Sequence, residues 1–260
     1  MSTLGRLRAA ALHVPGAYEA IQQLSRIGNG KIRRIPVGPL KGVRWRHDES
    51  LPLWYRIGLY EPEVATLIHR HLRPGDTFWD IGANAGYHSL VAARELGQLG
   101  RVIAVEANPA VADIAQTQFR LNREGHRVTL VRAAISNAEG TETLTVMPNN
   151  RMSAIESVAQ HPGTPLQVKA TTLDNLAAEW GTPHLIKMDI EGGEALALQG
   201  GQHLFSARDR PRILLSVHGS EAEGYCRSRL AAKGYRIESH PEFPQMLVCL
   251  PTESGQKGHG

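Results

Sequence analysis

The sequence predicts a doubly wound α/β fold, a mostly parallel sheet with helices on both faces. Three observations predict it. Apolar strand-like runs alternate with helix-like segments from Thr77 to Val217. The first run, Thr77-Phe78-Trp79-Asp80-Ile81, breaks at Gly82-Ala83-Asn84-Ala85-Gly86 and restarts as a helix near Tyr87, a strand–glycine turn–helix unit. The runs Tyr235 to Ser239 and Met246 to Leu250 have no helix between them, so that pair is expected to be antiparallel.

Taken in order, residues 1–27 read as one or two short helices, with Pro15 starting the second and Gly28-Asn29-Gly30 ending it. A basic stretch follows: Lys31, Arg33, Arg34, Lys41, Arg44 and Arg46. Within it Val37 to Val43 reads as short strands around a turn, either a solvated hairpin or a surface for a phosphorylated or lipid-linked substrate. Pro62 opens a helix to His71, on which His69 and His71 are expected to be solvated. The strand Arg101 to Val105 leads to Glu106, and Asn108-Pro109 cap and start a helix reaching Glu124. Val128 to Val131 is the third strand, Thr141 to Val146 an extra or edge strand, and Val168 to Thr171 a short one. Residues 148–165 read as a long loop, a partial lid over the substrate. Thr172-Leu173-Asp174 begins a helix. His184 to Ile190 is the next core strand, and Gly192-Gly193 turns it into a helix from Glu194 to Leu204. Pro211 to Val217 is a further strand, and Ala222 to Lys233 a helix stopped by Gly234.

In such sheets ligands sit beyond the carboxyl ends of the strands, where the strand order reverses. Asp80 to Gly86, Glu106 to Asn108, Ala134 to Ser136, Asp189 to Glu191 and Ser216 to His218 are expected to converge there. The turn is expected to offer bare backbone N–H groups at a helix N-terminus, with Gly86 letting a ligand approach closely. An acid at Glu106 can accept hydrogen bonds from both hydroxyls of a ribose. A dinucleotide fingerprint needs glycine at positions 84 and 87, where Asn84 and Tyr87 stand. No G-x-x-x-x-G-K-[ST] phosphate loop occurs either. Asp80 before the turn repels a pyrophosphate and tolerates a cation. S-adenosylmethionine, with a ribose, a sulfonium and an amino-acid tail, therefore fits better than a nicotinamide cofactor.

The chain has 260 residues, 42% of them apolar, and a formal charge of +4. That mild basic excess is compatible with an anionic partner without requiring one. Cys226 and Cys249 are too few for a disulfide framework and lack metal spacing. No apolar run approaches the ~20 residues that cross a bilayer, and the N-terminus lacks a secretory apolar region. A cytoplasmic location is expected.

Tyr60-Glu61-Pro62, Asp80-Ile81-Gly82-Ala83-Asn84-Ala85-Gly86-Tyr87, Val105-Glu106-Ala107-Asn108-Pro109, Thr172-Leu173-Asp174 and Ile186-Lys187-Met188-Asp189-Ile190-Glu191-Gly192-Gly193-Glu194 resemble, in order and spacing, the motif series of the FkbM-type methyltransferases. The match runs over roughly residues 58–218, and Ser216 departs from the acid many members carry there. The resemblance implies a class I, Rossmann-like S-adenosylmethionine fold of seven strands with the last antiparallel. It also implies O-methylation of a sugar or small-molecule hydroxyl. Residues 1–57 then form an N-terminal helical and hairpin extension, 58–251 the methyltransferase domain and 252–260 a tail.

On this reading Gly82, Ala83, Asn84 and Gly86 contact the methionine tail, and Glu106 takes the ribose. Asn108 and Ser136 line the adenine. Glu61 and Asp80 hold the ammonium, or Glu61 caps its helix instead. Asp189 lies beside the methyl group, as base or orienting group, with Lys187 paired to it and Glu191 on the same strand face. His218 is a second base candidate. No metal is expected: Asp189 with Glu191 or Glu194 supplies carboxylates, but no further oxygen ligands are evident. The acceptor is expected to be a small or glycosylated molecule, with peripheral membrane contact only through the basic stretch. An RNA acceptor is the alternative, although no aromatic platform accompanies the basic residues. A non-catalytic S-adenosylmethionine binder is a further alternative.

Overall fold

The structure, a computed structural model, describes residues 27–146, 153–155, 163–241 and 243–252. The helices read within residues 1–27, most of the 148–165 loop and the tail beyond Thr252 lie outside them. The strands are β1 (Ile32–Arg34), β2 (Arg44–Arg46), β3 (Thr77–Ile81), β4 (Arg101–Val105), β5 (Val128–Val131), β6 (Ala134–Ile135), β7 (Gly140–Val146), β8 (Ser153–Ile155), β9 (Thr164–Thr171), β10 (Leu185–Met188), β11 (Arg212–Ser216), β12 (Tyr235–His240) and β13 (Phe243–Pro251). The helices are α1 (Leu53–Ile57), α2 (Pro62–His71), α3 (Tyr87–Leu96), α4 (Pro109–Leu121), α5 (Leu173–Trp180), α6 (Glu194–Gln199) and α7 (Ser220–Ala232).

The central sheet has seven strands in the order β12-β13-β11-β10-β3-β4-β5. Its core pairings are parallel, and β13 runs antiparallel to both β11 and β12. The chain winds outward from β3 through β4 to β5, then returns to the other side of β3 with β10 and β11. The strand order therefore reverses between β3 and β10, which opens a crevice at their carboxyl ends.

Side chains alternate across this sheet. Phe78, Val102, Leu185 and Leu214 face one helical layer, while Trp79, Ile103, Ile186 and Ile213 face the other. That two-sided burial explains why these strands read as continuous apolar runs. Trp79 and Phe78 are both fully buried, and burying a Phe side chain contributes roughly 1.5–3 kcal/mol.

The hairpin legs lie outside the segment the sequence suggested. Val37 to Gly42 forms the connection, and β1 and β2 flank it. Trp45 and Tyr55 are buried in the same cluster as Phe78, Tyr87 and Phe119. Leu40, Trp45, Leu51 and Tyr55 thus add to the core, while Ile32–Arg34 is exposed. Arg44 is held by the C-terminus of α4, where its guanidinium donates to the Leu121 carbonyl and its N–H to Asn122 Oδ1.

A second sheet, β6-β9-β7-β8, was not legible as such in the sequence. Within residues 148–165, 153–155 pair antiparallel with β7 and Thr164-Pro165 open β9. The helix read from Glu194 to Leu204 is shorter, ending at Gln199 before the Gly200-Gly201 pair. Among the described residues no helix is long and apolar enough to cross a membrane.

Candidate active site

The crevice between β3 and β10 is a cleft open to solvent. Its walls come from the bend after β3, the end of β4, the β5–β6 connection, the end of β10, and the aromatic side chains Tyr55, Tyr60 and Tyr87.

The bend is built differently from the sequence expectation. Gly82 and Ala83 N–H both donate to the Val105 carbonyl, at 3.0 and 2.9 Å. Asn84 N–H donates to Glu106 Oε2, Ala85 N–H to Asn84 Oδ1 and Gly86 N–H to the Ala83 carbonyl. No N–H from Gly82 to Gly86 is bare, so the bend is not an anion cradle. Asn84 takes φ +49°, a left-handed conformation its short polar side chain tolerates.

The two glycines also have contacts of their own. At Gly82, φ +76°, a Cβ would stand 1.9 Å from the Asp189 carbonyl oxygen, which locks the two strand ends together. At Gly86, φ +81°, a Cβ would meet the Phe119 ring at 2.6 Å. Gly86 therefore permits close approach by α4 rather than by a ligand, and it does not line the cleft.

Glu106 does line it. Its Oε2 accepts Asn84 N–H at 2.8 Å and its Oε1 accepts Asn108 N–H at 2.9 Å. Each oxygen keeps a second lone pair. Burial raises the pKa of this carboxyl above its ordinary value, and the two N–H donors oppose that rise.

Asp80 and Lys187 lie opposite each other on β3 and β10. Lys187 Nζ stands 3.4 Å from Asp80 Oδ1 and donates to the Gly82 carbonyl at 3.0 Å, while Asp189 Oδ2 is 4.0 Å away. The sequence paired Lys187 with Asp189, its neighbour on one strand face; cross-strand register makes Asp80 the nearer partner. Burial alone would lower the Lys187 pKa, but Asp80, then Asp189 and Glu61, hold it above its ordinary value. Asp80 is fully buried, also accepts from Ser89 Oγ at 2.7 Å, and does not reach the cleft. It cannot touch an ammonium there directly.

Two adenine-lining assignments are likewise corrected. Asn108 is buried and its Oδ1 accepts Ala110 N–H, capping α4. Ser136 is buried and donates to Glu142 Oε1 at 2.5 Å. The lining of this wall is apolar instead: Val105, Val111, Ile135 and Leu144.

Glu61 occupies the N-cap position of α2 in a left-handed conformation but makes no side-chain cap. Its Oε2 lies 3.8 Å from His88 Nε2. Burial, then Lys187, pushes the His88 pKa well below its ordinary value, so this contact joins a carboxylate to a neutral imidazole.

The loop after β10, which lines the cleft through Asp189, Ile190 and Glu191, meets the loop after β11, whose His218 stands behind those carboxylates and does not itself line the cleft. His218 Nε2 stands 3.6 Å from both Asp189 Oδ1 and Glu191 Oε2. His218 Nδ1–H donates to Glu194 Oε1 at 2.9 Å. Glu194 is fully buried at the start of α6, and the same oxygen accepts Gly192 N–H at 3.2 Å. The Glu194 hydrogen bond raises the His218 pKa, against burial, to about 9. The Glu191 pKa is raised by burial and then by Asp189.

The sequence reading missed the aromatic wall. Tyr55 and Tyr60 stack with centroids 3.8 Å apart, and Tyr87 meets both edge-on. Tyr60 stood in a quoted motif without a role, whereas Tyr55 lies on a helix too short to show periodicity. Among the described residues the cleft is lined by three carboxylates, Glu106, Asp189 and Glu191, against the single ammonium of Lys187. With its bend N–H groups spent, it suits a cationic ligand with hydroxyl donors better than a pyrophosphate.

Residues 80–253 match the family model of the methyltransferase FkbM domain. The crystal structure of a methyltransferase FkbM from Methylobacillus flagellatus superposes with a TM-score of 0.52 at 16% identity, covering 73% of this chain and 51% of that one. Protein-L-isoaspartate O-methyltransferase 1 of Archaeoglobus fulgidus is 34% identical over 91 residues, 33% of this chain and 42% of its own length. Ribosomal protein L11 methyltransferase of Pelotomaculum thermopropionicum is 33% identical over 81 residues, 31% of this chain and 26% of its own. The chain thus spans less than half the length of these two curated relatives.

Proposed function

The chain belongs to the methyltransferase FkbM domain family, and from that membership we propose that it uses S-adenosylmethionine to methylate a hydroxyl on a small-molecule or glycosylated acceptor. The observation that carries this reading is Glu106: a carboxylate pinned by two backbone N–H groups at the end of β4, with a free lone pair on each oxygen beside the cleft. Those lone pairs accept the two ribose hydroxyls. The adenine lies against Val105, Val111, Ile135 and Leu144, and the sulfonium sits over Gly82 and Asn84, where carboxylates outnumber cations. Asp80 contributes through Lys187, which it fixes under the Gly82 carbonyl. Glu61 does not line the cleft but lies 3.8 Å from His88, which does, and adds a further negative charge near the donor's ammonium.

The names of the curated relatives span a protein carboxylate and a ribosomal protein, so the acceptor class is argued from the cleft. The stacked Tyr55 and Tyr60 offer a flat face to a ring, and the carboxylates at the far end suit a nucleophile that must lose a proton. In the reaction the acceptor oxygen attacks the methyl carbon as the carbon–sulfur bond breaks. The bonding pair stays on sulfur, which leaves as the neutral thioether of S-adenosylhomocysteine. Holding oxygen, carbon and sulfur in line contributes roughly 7–11 kcal/mol, and a base contributes a factor on the order of 10²–10⁴. Asp189 receives the proton. His218, already charged at neutral pH, does not.

A labelled-methyl screen against glycosylated and small hydroxyl acceptors tests the reading. Label is expected on an acceptor oxygen with the native protein, and a loss of about 10²–10⁴ in rate is expected in Asp189→Asn. Label on nitrogen or carbon, or an unchanged rate in Asp189→Asn, would overturn the assignment.

A further inference from the structure

We propose that Asp189, Glu191 and His218 form a binding site for a divalent first-row transition-metal cation at the acceptor end of the cleft. One ligand atom from each of the three lies within 4.8 Å of the others. The 3.6 Å separations of His218 Nε2 from Asp189 Oδ1 and Glu191 Oε2 are those of neighbours in a coordination shell, where atoms about 2.0–2.2 Å from one ion stand roughly 3–3.6 Å apart. The ligands come from two loops, after β10 and after β11, so the tertiary fold and not local sequence assembles the set. It combines one imidazole with two carboxylates and leaves open positions, which favours Mn²⁺ or Zn²⁺ over Mg²⁺ or Ca²⁺.

Glu194 supplies an independent reason. A ligating histidine usually gives its other ring N–H to a carboxylate, which fixes the tautomer and aims the lone pair. Fully buried Glu194 holds His218 Nδ1–H at 2.9 Å. The opposite nitrogen, Nε2, is thereby turned toward the two carboxylates. Local charge points the same way. Asp189, Glu191 and Glu194 surround one imidazole, and the carboxylate nearest the Lys187 ammonium is Asp80.

This inference deepens the methyltransferase reading and rests on it only for the metal's role. An acceptor hydroxyl entering an open coordination position would be fixed beside the donor methyl and acidified. Asp189 ligates through Oδ1, which leaves Oδ2, on the Lys187 side, to take the proton.

The test is binding of the metal alone to the full chain after chelator treatment and dialysis. Mn²⁺ is titrated by electron paramagnetic resonance and Zn²⁺ by calorimetry, without donor or acceptor. The expected result is saturable binding of one ion per chain. Binding should be abolished in His218→Ala and weakened at least tenfold in Glu191→Gln, a change on a half-buried turn. The positioning variant Glu194→Gln should weaken it about 10–100-fold. Absence of saturable binding of either ion to the native protein overturns the proposal, as does undiminished binding in folded Glu191→Gln. S-adenosylhomocysteine binding is measured on the same preparations. Metal binding without nucleoside binding would remove the donor-site reading alone, and the reverse would remove the metal site alone.

Discussion

In Glu106→Gln the side chain keeps its size but loses its charge and one of its two acceptor oxygens. In the native protein Oε2 takes Asn84 N–H at 2.8 Å and Oε1 takes Asn108 N–H at 2.9 Å. One lone pair per oxygen remains for the proposed ribose hydroxyls. A hydrogen bond to a charged group contributes about 1.5–3 kcal/mol. Glutamine must set its NH₂ against one of the two backbone N–H groups, so one ribose bond is lost and the other loses its charge assistance. The expected cost is about 2–4 kcal/mol, which at 1.4 kcal/mol per decade is a roughly 30- to 700-fold rise in Kd. Isothermal titration of S-adenosylhomocysteine into both proteins measures it. Circular dichroism melting runs alongside, because the lost backbone bond also loosens Asn84. A folded variant whose Kd stays within about threefold of the native value would refute the ribose contact.

Three further outcomes follow from the same geometry. Gly82→Ala places a methyl group 1.9 Å from the Asp189 carbonyl at φ +76°, so urea unfolding should show a loss of about 2–5 kcal/mol; native stability would contradict the strand-end lock. Lys187→Met strands the buried Asp80 carboxylate, at a cost of about 3–5 kcal/mol that Asp80→Asn in the same chain should partly restore; additive losses in the double variant would count against the pair. His88 has its folded-state pKa depressed by burial, so the unfolded chain binds its proton first and stability falls as pH drops below the ordinary histidine value. As pH falls below that value the native protein should lose more stability than His88→Gln, and equal pH slopes in the two proteins would refute that.

The fold was legible because its strongest signals are local. Phe78 and Trp79 both had to be buried, which marked a strand covered on two faces, and Gly82 and Asn84 punctuated it where the chain needed positive φ. Glu106 could be found because the end of a second strand beside a glycine turn has a fixed position in such sheets. What failed depended on partners distant in sequence. Gly86 reads as a ligand approach until Phe119 arrives from α4. The N–H groups of the bend look free until Val105 and Glu106 are brought beside them. Lys187 seems to belong to Asp189 until β10 pairs with β3 and sets Asp80 opposite it. Asn108 served two readings, and the cap prevailed because the first N–H groups of α4 need an acceptor. The second sheet escaped notice because β6 has only two residues and β8 three. The grouping of Asp189, Glu191, Glu194 and His218 needed two loops to meet.

Crystals grown with S-adenosylhomocysteine offer the sharpest discrimination. The nucleoside should span the carboxyl edges of β3 and β4, with both ribose hydroxyls at hydrogen-bond distance from Glu106 and the sulfur turned toward Asp189. Density for the nucleoside elsewhere on the chain, or a cleft closed by the Tyr60 and Glu106 side chains with no nucleoside in it, would contradict the donor site proposed for this protein.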